Sequence, residues 1–171
     1  MPKLEAFAAQ ATQAFSSELN AAIVAAELPG LGDGPVNPQL TDILDSDIES
    51  HLGDLPSGDS NEIISALWLL AGDIDRSHDI SQDLPSAEGS FLHGIMHRRE
   101  GDFGNAKYWF RRVGNHSVLS DIAGEVGDLY SDPFDFIDQC SQAVRAGENK
   151  EECQNAQWLE WQLLLTHLLG Q

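Results

Sequence analysis

NEIISALWLLAGDIDRSHDISQDLPSAEGSFLHGIMHRREGDFGNAKYWFRRV, residues 61–113, carries one pattern twice. Each half holds an apolar run of helical period, a Gly-Asp pair and a second helical run. The pairs, Gly72-Asp73 and Gly101-Asp102, lie 29 residues apart. Aligned on them, Ile74 matches Phe103, Ser77 matches Ala106 and Ser81 matches Phe110. The first helix of each half reaches its glycine, and Pro85 parts the halves. Two helical hairpins in tandem explain the repeat, because each buries one face on its neighbour.

Working outward, residues 3–27 read as one long amphipathic helix, with Leu4, Phe7, Ala11, Phe15 and Leu19 recurring at three- and four-residue steps. LPGLGDGPVNPQ, residues 28–39, holds six glycines or prolines and reads as a loop. A short helix capped by Thr41 is expected over 41–52, followed by a break from Gly53 to Asp59. Beyond the hairpins, helices are expected at 118–126, at 133–146 between Pro133 and Gly147, and from Lys150 to Leu169. The last carries Trp158, Trp161 and five leucines after them, and must be buried on most sides. No run of alternating β-branched residues reaches strand length. These signals predict an all-α chain forming one domain over 1–171, with tandem hairpins at 58–118 and flanking N- and C-terminal helices.

The segment from Ala87 to Val118 resembles a tetratricopeptide unit in five features: small Gly94, Gly101 at the turn, Phe103 after it, Ala106 at the crossing, and Phe110 with Val113 behind. The preceding segment, Gly58 to Ser86, matches more loosely through Trp68, Gly72, Ile74 and Ser77. It has serine where alanine is usual and is about five residues short of the repeat. The block HGIMHRREGDFGNAKYWFRRVG is also similar to one carried by uncharacterised bacterial and fungal proteins. That resemblance implies a shared helical unit and brings no activity with it.

Composition narrows the partners. The net charge is −19 and the pI near 4.3. Such a field repels phosphates, so neither nucleic acid nor an anionic membrane surface is expected as a partner. No stretch approaches the roughly 18–20 apolar residues of a membrane span. The start, MPKLEAFAAQATQAF, lacks the apolar core of a signal peptide. Cys140 and Cys153 match no metal or disulfide pattern, and read as two buried free thiols in a reducing compartment. A soluble, cytoplasmic protein is the expectation.

Six of the nine bases fall in residues 76–112: Arg76, Arg98, Arg99, Lys107, Arg111 and Arg112. That window has a net charge of +1, against −20 for the rest of the chain. In tetratricopeptide-like proteins the positions of Arg98 and Arg99 line a concave groove, where paired guanidinium groups grip carboxylates or phosphates. Arg111 and Arg112 on the next helix would flank the same surface or lie on its back. Internal salt bridging is the competing reading.

Histidines 93 and 97 are four apart on one helix, and Glu100 is three further on, so all three share a face. His78 on the preceding hairpin joins them if the hairpins stack. Two imidazoles and a carboxylate on one face are a way to hold zinc or iron, or to form an acid–base pair. The same residues also suit a packed polar network, with Glu100, Asp73 or Asp75 as hydrogen-bond partners. Gly94 stands where a zincin would place its glutamate, so the pattern is not that one. Tyr108, Trp109 and Phe110 read as packing. The leading expectation is an interaction module that needs no cofactor and holds an anionic peptide or protein partner with its arginines. The alternative is a small metal-dependent or ligand-binding enzyme using the histidine cluster.

Overall fold

A computed structural model of the chain describes residues 3–55 and 60–171, and the regular structure among them is entirely helical. The central hairpins are α5 (Ser60–Ala71) with α6 (Ile74–Ser81), and α7 (Ala87–Glu100) with α8 (Phe103–Val113). The start of the first repeat at Gly58 lies outside the described residues.

The two Gly-Asp pairs make the same turn. Gly72 and Gly101 adopt left-handed φ of 83° and 91°, a region that costs a glycine little. The aspartates that follow are N-caps: Asp73 accepts from the Arg76 amide and Asp102 from the Asn105 amide, each at 3.1 Å. Gly72 also packs so tightly on the Pro35 carbonyl that any Cβ would collide with it.

Within α8, Ala106, Phe110 and Val113 are buried at four- and three-residue steps against α7. Phe110 meets Phe91 edge-to-face at 5.3 Å, and both rings are fully enclosed. Enclosing each contributes about 2–3 kcal/mol. Gly94 lies against the Phe110 ring, which takes the space a Cβ would fill.

Before the hairpins come α1 (Ala6–Ala11), a 3-10 turn at Thr12–Ala14, α2 (Ser17–Ala25), α3 (Pro38–Asp45) and α4 (Glu49–Leu52). The expected single helix over 3–27 is therefore broken. Phe15 is extended, and Ser16 starts a new helix by accepting from the Leu19 amide at 3.1 Å. The break is held by the α4 segment, whose His51 carbonyl accepts from the Ser16 amide at 2.8 Å. The helix expected at 41–52 instead starts earlier and splits. Asn37 caps it, Pro38 occupies its first turn, and Ser46 ends it.

After α8 come α9 (Ser117–Val126), a 3-10 turn at Gly127–Tyr130, α10 (Pro133–Ala146) and α11 (Lys150–Leu168). Helix α11 packs on α1, α5, α9 and α10, which explains its nearly all-round burial. Trp161 donates to the Ala66 carbonyl at 2.8 Å, locking α11 onto α5. Cys140 and Cys153 are buried free thiols. Among the described residues no helix is long and apolar enough to cross a membrane.

Candidate functional site

Capping fixes the register of α6, α7 and α8, and that register brings three imidazoles together. His93 and His97 project from one face of α7 and stack with centroids 4.7 Å apart. His78 reaches them from α6, edge-on, at 4.9 Å from His93 and 5.5 Å from His97. One ring nitrogen from each of the three falls within 4.8 Å of the others. Helix α8 closes the far side. Trp109 stacks on His93 at 3.9 Å, and the Asn105 side-chain amide donates to His97 Nε2 at 3.2 Å.

The hydrogen bonds define one tautomer. Glu100 Oε2 lies 2.9 Å from His97 Nδ1, and a carboxylate only accepts, so Nδ1 carries the proton. His97 Nε2 then presents its lone pair, which Asn105 engages. His93 is 3% exposed, and its Nδ1 has no partner among the described residues. Burial, reinforced by the nearby His97 and His78, pushes the His93 pKa down to about 4, so this ring is neutral at pH 7. His78 is half-buried and leaves the cluster open on its side.

A second cluster joins distant segments. Glu88 Oε1 lies 3.2 Å from His116 Nε2 and 3.0 Å from His167 Nε2. His116 Nδ1 accepts from the Val118 amide at 3.2 Å and caps α9, so its Nε2 donates to Glu88. Both ring nitrogens of His116 are thus committed.

The arginines divide. Arg98 and Arg99 do not line a groove, because α11 and the 28–36 loop cover that face of α7. Arg98 is 1% exposed and forms a two-pronged ion pair with the wholly buried Glu160. Its Nη1 donates to Glu160 Oε2 at 3.0 Å, and Tyr130 donates to the same oxygen at 2.6 Å. Burial opposes the charge on Arg98, but Glu160 outweighs it and raises the pKa. Arg99 donates to the carbonyls of Gly32 at 3.1 Å and Leu69 at 2.6 Å. Burial, and then the charge of Arg98, lower its pKa to about 10. These two side chains are internal struts. Arg111 and Arg112 are exposed, and Arg112 lies over the Trp109 ring at 5.3 Å.

The structure therefore joins His78, His93, His97 and Glu100, and separates them from the buried arginines. Asn105 and Trp109 complete the site and escaped the sequence reading, which gave Trp109 a packing role alone. The signal was there: His97 and Asn105 stand four residues either side of Gly101, and His93 and Trp109 stand eight. An antiparallel hairpin turning at Gly101 sets such positions face to face. No family model, curated protein or solved structure matches the chain.

Proposed function

We propose that this is a small helical protein, with hairpins of tetratricopeptide-like type, that binds and acts on a ligand through His78, His93 and His97. The observation that carries the reading is the buried, unpartnered Nδ1 of His93, whose ring stacks on His97 and meets His78 edge-on. Enclosing a polar atom without a partner costs about 1–3 kcal/mol, a cost that stability alone does not favour. A neutral imidazole offers one lone pair and one N–H, and Glu100 fixes which nitrogen of His97 offers which. That equips the centre for ligand coordination or proton transfer. The test is the stability of His93→Phe in urea. A phenyl ring keeps the stack on Trp109 and removes the orphaned nitrogen, so stability should be unchanged or higher by up to about 1–2 kcal/mol. A loss of about 1–3 kcal/mol would make the cluster a packed polar network and refute the reading.

A second reading keeps an anionic peptide or protein partner and rests it on Arg111 and Arg112 alone. Arg111 borders a cavity of about 490 Å³ whose other walls include Phe110, Leu119 and Phe134. Paired Arg111→Glu and Arg112→Glu changes should abolish a salt-sensitive complex without altering the fold. A complex indifferent to them ends this reading.

A further inference from the structure

Among the described residues, three groups of side chains place histidine or carboxylate donors close enough to share a cation. Two of them are already spent. Glu88, His116 and His167 fail because His116 uses both ring nitrogens within the protein. His97, Glu100 and Asp102 fail because His97 Nδ1 carries a proton toward Glu100, and Asp102 Oδ1 caps α8. The third group, His78, His93 and His97, differs in keeping an unpartnered nitrogen, His93 Nδ1; its His97 Nε2 lone pair is engaged by the Asn105 side-chain amide, which a cation would displace.

We infer that His78, His93 and His97 bind one divalent transition-metal cation of the zinc class, with Glu100 as the positioning residue for His97. This rests on the proposed histidine centre and adds the identity of its ligand. An all-imidazole donor set favours zinc, cobalt, nickel or copper over magnesium or calcium. A tetrahedral ion with nitrogens at about 2.0–2.1 Å sets them roughly 3.4 Å apart. The present spread, within 4.8 Å, closes as the rings turn about their side-chain bonds, His78, the half-buried member, with the most room to do so. His93 and His97, one helical turn apart, are spaced to chelate, and their in-plane lone pairs converge on one ion once the rings tilt out of their present 18° stack. Glu100 behind His97 is the carboxylate–histidine arrangement that orients metal-bound imidazoles. Three protein nitrogens leave a fourth position for water or substrate, as catalytic zinc sites do. The net charge of −19 favours cations at the open side.

The test uses the full chain without a polyhistidine tag, stripped by chelator and titrated with zinc chloride and cobalt chloride. Calorimetry should give one equivalent, and cobalt should show the visible bands of tetrahedral coordination. His93→Phe and His97→Ala should weaken binding at least 100-fold. Glu100→Gln should weaken it about 10- to 100-fold and leave the stoichiometry unchanged. His78→Ala, at the half-buried position, gives a second variant should His93→Phe fold poorly. Absence of a stoichiometric ion, equal affinity in the histidine variants, or calcium bound as tightly as zinc would overturn the inference. The two readings fail separately. No zinc together with undiminished stability in His93→Phe rejects the metal and leaves the centre, whereas a destabilised His93→Phe rejects the centre.

Discussion

Replacing Glu160 with glutamine should be strongly destabilising. Glu160 is wholly enclosed and accepts from both terminal nitrogens of Arg98 and from the Tyr130 hydroxyl. Glutamine keeps the shape but removes the charge, and it turns one acceptor into a donor facing another donor. Arg98 is then a buried cation whose remaining side-chain acceptors are neutral, the one amide oxygen left at position 160 and that of Gln157 at 3.2 Å. Breaking a buried pair from one side costs about 3–5 kcal/mol. For a chain of this length that corresponds to a melting temperature lower by on the order of 10 °C. Urea denaturation followed by circular dichroism reads the loss directly, provided the slope m stays constant. Tyr130→Phe, which removes one donor and leaves the ion pair, should cost only about 1 kcal/mol. Arg98→Met combined with Glu160→Leu should recover most of the loss, because the charge and its compensation leave together. A Glu160→Gln protein within about 1 kcal/mol of wild type would refute the charge-compensation argument. So would a double variant no better than the single one, which would indicate that shape matters more than charge.

Gly94→Ala places a methyl group 2.7 Å from two carbons of the Phe110 ring. Phe110 is boxed by Phe91 and cannot yield freely, so thermal denaturation should show a loss of about 1–3 kcal/mol; no loss would mean that α7 and α8 cross elsewhere. The His93 pKa falls from about 6.5 unfolded to about 4 folded. The unfolded chain therefore takes up a proton first, and stability drains away as the pH falls through that window. Between pH 7 and pH 5 the loss from this group should be on the order of 2 kcal/mol. Urea denaturation at both values measures it, and a slope that persists in His93→Phe would assign the loss to other groups.

The elements that were legible are those whose signals are local. Gly72-Asp73 and Gly101-Asp102 announce their turns, and Pro133 with Gly147 brackets α10, because glycine and proline act on the backbone where they stand. Phe15-Ser16 carried no such mark. Alanine and leucine spacing runs straight through it, and the kink exists because the distant α4 segment bonds to Ser16. The same division holds for the site. His93, His97 and Glu100 share a face by spacing alone, and the neighbouring hairpin brings His78. The fate of Arg98 and Arg99 lay outside any local pattern. Glu160 is 62 residues from Arg98, and Gly32 is 67 from Arg99. Positions that face solvent in an isolated hairpin are interior here, because the rest of the chain folds back over them.

That folding back imposes an order of events on synthesis. The Gly30 carbonyl accepts from Gln157 and the Glu5 amide donates to Gln162, so these residues are fastened by α11, 127 and 157 positions further along the chain. At about 5–20 residues per second, the ribosome makes those partners on the order of ten seconds after the residues they fasten. Until then α1 has no surface to cover, and Arg98 sits on a helix still without its counter-charge. The hairpins can form on emergence, since their contacts are between neighbours, but the assembly has no stable resting point before α11 arrives. A nascent chain arrested short of Glu160 should therefore be captured by chaperones or cut by proteases across its first third, even while residues 61–113 already hold their shape.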